Sequence, residues 1–178
     1  MILLTSIAFS QRKVQKKQSK KTVSSNVSQG TWLIEANTGT DQTGNTSFGL
    51  RTGDGITDWS VGADAGYFII DRLALKAGLG YFSDEISEGE TSDRFIYKLG
   101  AKYYIVDKFP VGLDFTGESI SLSNNKNDRR SWIGVQGGYA WFVSKNVAIE
   151  PTLRYNFTTD DLKAKSFLGA HIGFALFF

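Results

Sequence analysis

The stretch ITDWSVGADAGYFII, Ile56 to Ile70, alternates with a period of two. Its odd positions run Thr57, Trp59, Val61, Ala63, Ala65, Tyr67 and Ile69, while the even positions from Asp58 to Gly66 are Asp58, Ser60, Gly62, Asp64 and Gly66. Successive side chains of a strand point to opposite faces, so this is a long strand with one apolar and one polar face. The fold depends on which of those faces lies inside, and on what solvent the other one meets.

The same alternation recurs along the chain. Leu73, Leu75, Ala77, Leu79 and Tyr81 alternate with Lys76, Gly78 and Gly80, and Phe95 through Ile105 with Lys98, Gly100 and Lys102. Val111, Leu113 and Phe115 oppose Gly112, Asp114, Thr116 and Glu118, and Ile133 through Val143 oppose Gly134, Gln136 and Gly138. Val147 through Phe157 oppose Glu150, Thr152, Arg154 and Asn156, and Leu168 through Phe178 oppose Gly169, His171 and Gly173. With TWLIEANTG at Thr31–Gly39 this predicts eight strands. The links at Ile70, Val106 and Val143 are short and turn-rich. Those at 40–55, 83–93, 119–129 and 158–164 are longer and polar. Short and long links alternate, so the short turns gather at one end of an up-and-down meander.

A soluble barrel would alternate too, with its large apolar side chains inside. Here the polar face is crowded with glycine, which weakens a solvent-facing strand without return. A narrow interior shared with long charged side chains needs that space. The apolar face is also layered. Trp59, Tyr81, Phe95 and Phe157 fall near the long links, Trp32, Tyr67, Tyr103, Trp141 and Phe178 near the short ones, and aliphatic residues such as Val61, Leu99 and Leu113 between. Two aromatic girdles around an aliphatic band match the two interfaces of a bilayer. The expected architecture is therefore an all-β, eight-stranded antiparallel up-and-down transmembrane β-barrel with its apolar face turned outward.

Composition agrees. A length of 178 residues suits one domain; cysteine is absent and histidine occurs once, so thiolate chemistry and multi-histidine metal sites are excluded. Residues 1–10 read as the remnant of a signal peptide. Residues 11–29, with Arg12, Lys13, Lys16, Lys17, Lys20 and Lys21 and no acid, read as a basic disordered periplasmic tail. No aromatic residue punctuates that tail, so a nucleic-acid partner is not expected.

The repeated amphipathic strands over residues 30–178 and the ending HIGFALFF resemble the OmpA/OmpX-like family of small outer-membrane β-barrels. The resemblance implies a monomer in the bacterial outer membrane, in contact with outer-membrane lipid and lipopolysaccharide. It also implies insertion by the outer-membrane assembly machinery acting on the aromatic terminus at Phe178, and surface loops open to an extracellular partner. One departure is Pro151, mid-strand, where a local bulge is expected.

The inward face holds Glu35, Asp58, Asp64, Asp114, Glu118 and Glu150 against Lys76, Lys98, Lys102, Arg154 and Lys165. Near-balance of sign is what a closed interior requires. A bore just wide enough for side chains would be filled by such a network; the alternative is an ion path. His171 with Ser166 hints at an acyl hydrolase, yet His171 points to the lumen and no nucleophile motif accompanies it. The acidic loop SDEISEGETSD, Ser83–Asp93, does not match a calcium-loop template. No cofactor is implied. The sequence thus points to a non-enzymatic, envelope-structural or loop-interaction scaffold with a charge-plugged lumen. A narrow channel is the alternative, and a lipid-modifying enzyme a third reading.

Overall fold

The structure is a computed structural model that describes residues 25–38, 49–53, 56–87, 90–122 and 127–178; residues 1–24, and with them the expected signal remnant and most of the basic tail, lie outside the described residues. The strands are β1 Trp32–Thr38, β2 Gly49–Gly53, β3 Ile56–Ile70, β4 Leu73–Ser87, β5 Glu90–Ile105, β6 Phe109–Leu122, β7 Asn127–Gly138, β8 Trp141–Phe142, β9 Val147–Thr158 and β10 Phe167–Phe177. Eight of them form the wall in the order β1-β10-β9-β7-β6-β5-β4-β3, every pairing antiparallel, and β3 returns to β1 to close the barrel. The seam is fixed by Trp32 opposite Tyr67 and by reciprocal backbone bonds between Trp32 and Phe178 (2.7 and 3.0 Å). Among the described residues β1 thus bridges β10 and β3 at the short-turn end.

The faces are inverted relative to a water-soluble barrel. On β5, Leu99 is 62% exposed and its neighbour Lys98 6%; on β9, Leu153 is 61% exposed and Arg154 1%. Alternation carries that inversion along β4, β6, β7 and β10 as well. The outer surface displays residues such as Val61, Leu79, Leu113, Val135 and Ile172, with Trp32, Trp59, Tyr67, Phe95, Tyr103, Trp141, Phe157 and Phe178 exposed toward the two rims and Tyr81 half-buried on the same face. Trp32 packs on Tyr67 at 5.1 Å near the short-turn end, and Trp59 on Tyr81 at 5.3 Å near the other. An apolar belt of this extent far exceeds the patches that water-soluble monomers expose. Backbone polar groups of the wall meanwhile pair along antiparallel ladders. This is a wall built for hydrocarbon.

The short turns place side chains in left-handed backbone. Arg72 has φ 70°, Val106 51° and Asp107 66°. Arg72 is anchored by its Nε to Asp107 Oδ1 at 2.5 Å, which ties two neighbouring turns together. For the β-branched Val106 this conformation is strained.

Four expectations change. Pro151 produces no bulge: Gly138 opposes Thr152 and Trp141 opposes Ile149 in one unbroken register. Tyr139 N donates to Pro151 O at 3.1 Å, and proline offers no N–H for the reciprocal bond, so the ladder loses one rung and the expected strand through Val143 divides into β7 and β8. The links 83–93 and 119–129 are largely strand, since β4 runs to Ser87, β5 starts at Glu90, β6 reaches Leu122 and β7 starts at Asn127. The link 40–55 contains β2, which continues along the same edge of β3: Glu35 opposes Asp64 and Gly49 opposes Ser60. Finally, the boundary between tail and barrel lies earlier than residue 30. Ser25–Val27 form a 3-10 turn, Val27 is fully buried, Arg72 N donates to Val27 O (2.6 Å) and Gln29 N to Asp71 Oδ1 (2.9 Å).

Candidate functional site

The lumen is organised in three levels. At the short-turn end, Phe68, Tyr104, Phe177 and Leu33 are buried with Val27, Ala74, Ala140, Ala148 and Ala175. Phe68 lies 5.9 Å from Tyr104 and 6.4 Å from Phe177, and Phe142 packs on Phe177 at 5.4 Å. These aromatic rings, with alanines opening room for them, form an apolar plug. Alternation along β5 placed Tyr104 inside with Lys98 and Lys102, so its parity was readable; that the small Ala residues at the base create an aromatic core was not.

Above the plug lies a chain of alternating charges. Lys102 pairs with both Glu35 and Glu150, and Lys76 with Glu35 and, at 3.1 Å, with Asp64. Tyr104 donates its hydroxyl to Glu150 Oε1 at 2.8 Å, and Lys102 Nζ stands 5.1 Å from the centre of the Tyr104 ring, so plug and network are joined. Lys98 reaches Asp64 at 4.0 Å and leads to the next group. There Arg154 forks onto Asp114, Nη1 to Oδ2 at 2.5 Å and Nη2 to Oδ1 at 2.6 Å. Its Nε donates to Asn156 Oδ1 (2.8 Å), with Gln136 Oε1 and Thr116 Oγ1 at 3.2 and 3.3 Å. Bidentate geometry and several hydrogen bonds are what a desolvated guanidinium needs.

The inner glycines make this possible. A Cβ at Gly134 would stand 2.8 Å from Arg154 Nη1 and closer still to its Nη2, and one at Gly100 would strike Asp114. Both glycines hold room for the ion pair.

Asp64, Lys76, Lys98, Lys102 and Glu150 are thus brought together, with Glu35 bridging Lys76 and Lys102, and Asp114 and Arg154 form the neighbouring pair. Asp58 and Glu118 lie toward the loop-side end. Asp58 accepts from Glu85 N (3.2 Å) at the loop-side end, and Glu118 is buried beneath that mouth opposite Arg130. His171 is buried in the lumen wall, its Nδ1 without a hydrogen-bond partner among the described residues. At the loop-side mouth, Arg94 pairs with Asp84, and Ser83 Oγ donates to Asp93 Oδ1 (2.8 Å). Two carboxylates of the acidic segment are thereby engaged across the hairpin. Among the described residues no cluster fits a metal ion. Chemically, this lumen holds opposite charges in paired positions.

No family model and no curated relative matches the chain. Several solved structures are similar to it. The N-terminal β-barrel domain of Pseudomonas aeruginosa OprF aligns over 84% of this chain and 98% of its own, at 14% identity and a TM-score of 0.48. Ail, the attachment invasion locus protein of Yersinia pestis, aligns over 84% of this chain and 99% of its own, at 13% identity and a TM-score of 0.42. The assignment of a closed, eight-stranded, membrane-spanning barrel rests on the register and the inverted faces of this chain itself.

Proposed function

We propose that this chain is a non-enzymatic barrel of the bacterial outer membrane that acts as an envelope-structural element and presents its long hairpins outside. The observation that carries this reading is the double closure of the lumen, by the Phe68–Tyr104–Phe177 plug and by the ion pairs of Glu35, Lys102, Glu150, Asp114 and Arg154 above it. A solute would have to break both. The apolar outer wall anchors the barrel, and the short turns face the periplasm, with the aromatic Phe178 at the seam available to the assembly machinery.

The test is planar-bilayer recording together with fractionation. The purified barrel should insert without steady conductance, and the protein should sediment with outer membranes. Sustained, ion-selective current through the unmodified protein would replace the scaffold with a channel.

A further inference from the structure

A cavity of about 240 Å³ opens at the loop-side mouth of the lumen, lined by Arg94, Glu118, Arg130, Trp132, Lys165 and Phe167. The ladder explains how these side chains meet. Glu118 opposes Arg130 across β6 and β7, and Trp132, one inward step deeper, opposes Thr116 and Thr158. Lys165 comes from the turn after β9, two residues before Phe167 starts β10. Below Trp132 the next inward residue of β7 is Gly134, which lies against the Arg154 guanidinium. The cavity therefore ends on the ion pair of Arg154 and Asp114.

Its lining joins two chemistries. Trp132 and Phe167 meet edge to face, 6.4 Å between centres, and supply an aromatic wall. Trp132 is 5% exposed, and its indole Nε1 has no hydrogen-bond partner among the described residues. A buried indole N–H ordinarily finds an acceptor. The charged groups are unequally committed. Arg94 pairs with Asp84, and the buried Glu118 has interactions of its own within the fold. Arg130 bonds Asp128 through Nε alone, at 3.1 Å, so its two terminal nitrogens have no partner among the described residues. Lys165, exposed on its turn, likewise has none among them. An indole N–H, a guanidinium end and an ammonium thus border one small aromatic cavity with their donors unmet.

We propose that this mouth cavity binds a small aromatic carboxylate. The ring of the ligand lies against Trp132 and Phe167, and its carboxylate accepts from Arg130, Lys165 and the Trp132 indole. A carboxylate matches the planar guanidinium and gains charge-assisted hydrogen bonds there. Sites for drug-sized molecules span about 300–1,000 Å³, so this smaller cavity takes a single ring with a short side chain. The inference goes beyond the scaffold reading and rests on it only for the side of the membrane from which the ligand enters.

The test is nitrogen–proton correlation NMR of the full barrel in dodecylphosphocholine micelles, titrated with trans-cinnamate or with its neutral amide, cinnamamide. The chain has four tryptophans, and Trp132→Phe assigns the indole cross-peak that reports on the cavity. Cinnamate should shift that cross-peak saturably. Trp32, Trp59 and Trp141, exposed on the outer wall, should move no more with cinnamate than with cinnamamide. Cinnamamide should bind about tenfold more weakly at Trp132, and Arg130→Gln/Lys165→Gln should weaken cinnamate by about tenfold, with the other three indoles marking the variant as folded. Lys145→Gln, exposed on a short turn, should bind as the unmodified barrel does. An unmoved Trp132 indole, or equal affinity in the double variant, overturns the site. Equal affinity for cinnamamide overturns the anion as its ligand. Steady conductance in planar bilayers would remove the scaffold reading and leave this cavity standing, whereas a silent barrel with an unmoved indole removes only the cavity.

Discussion

Arg154→Met tests the lumen most directly. The side chain it removes is 1% exposed and holds Asp114 by two oxygens at 2.5 and 2.6 Å. At an effective dielectric of about 20 the attraction between such charges, ~4 Å apart between centres, is about 4 kcal/mol. Methionine fills much of the vacated volume but leaves Asp114 ionised among Thr116, Gln136 and a narrowed interior. Breaking a buried pair from one side costs about 3–5 kcal/mol; Asp114 keeps some solvent contact, so we expect about 3 kcal/mol. Asp114→Asn alone should cost a similar amount, because it strands the guanidinium. The double variant Asp114→Asn/Arg154→Met should cost no more than either single variant, a coupling of about 3 kcal/mol. Urea unfolding in phospholipid vesicles, followed by tryptophan fluorescence, measures all three. If the two single losses simply add in the double variant, or if Arg154→Met costs below about 1 kcal/mol, the lumen is wet and the pair does not hold it together.

Other substitutions probe the remaining parts. Gly134→Ala should be destabilising in the unmodified protein and close to neutral in an Arg154→Ala background, since the guanidinium is what its methyl would meet; equal cost in both backgrounds, by the same unfolding assay, would reject that account. Leu99→Arg places a charge on the lipid face and should cost about 2–4 kcal/mol in vesicles, whereas Leu162→Arg, on the almost fully exposed turn after β9, should stay within about 0.5 kcal/mol. Val106→Asn should stabilise the barrel by about 1 kcal/mol by relieving left-handed strain, read from the unfolding midpoint. Tyr104→Ala removes the ring that joins plug and network and should produce transient current in planar bilayers where the unmodified protein is silent.

Period-two alternation carried most of the architecture, because each strand between the girdles meets two different solvents. It failed where that contrast ends. Beyond Tyr81 and Phe95 the apolar alternation stops while the ladder continues, Ser83 opposite Asp93 and Ser87 opposite Glu90, so these segments read as loop. Pro151 misled for a related reason. Its missing donor is visible in sequence, but the intact register around it depends on the neighbouring rungs, Gly138 with Thr152 and Trp141 with Ile149. In the lumen, parity placed each charge inside but could not say who meets whom. Glu35 and Lys102 are 67 residues apart in sequence, and only barrel closure, with its tilt and stagger, brings them together. Asp58 and Glu118 share the parity of the network at positions nearer the loop-side mouth.

On the scaffold reading proposed above, the barrel acts through two surfaces, its lipid-facing wall and its loop-side hairpins. The hairpins are strands extended past the membrane and cross-braced by Arg94 with Asp84 and by Ser83 with Asp93. That bracing matters for recognition. A flexible loop loses conformational entropy when it is ordered on a partner, while a strand pair already held in register loses little of it, so more of the contact energy appears as affinity. The buried ion pairs contribute to the same end from below. By fixing β5 against β9 through Lys102 and Glu150, and β6 against β9 through Asp114 and Arg154, they set the relative positions of the hairpins that leave the membrane. On the scaffold reading proposed above, the charge network is the rigid base of an external surface; steady conductance through the unmodified barrel would make it the lining of a path instead.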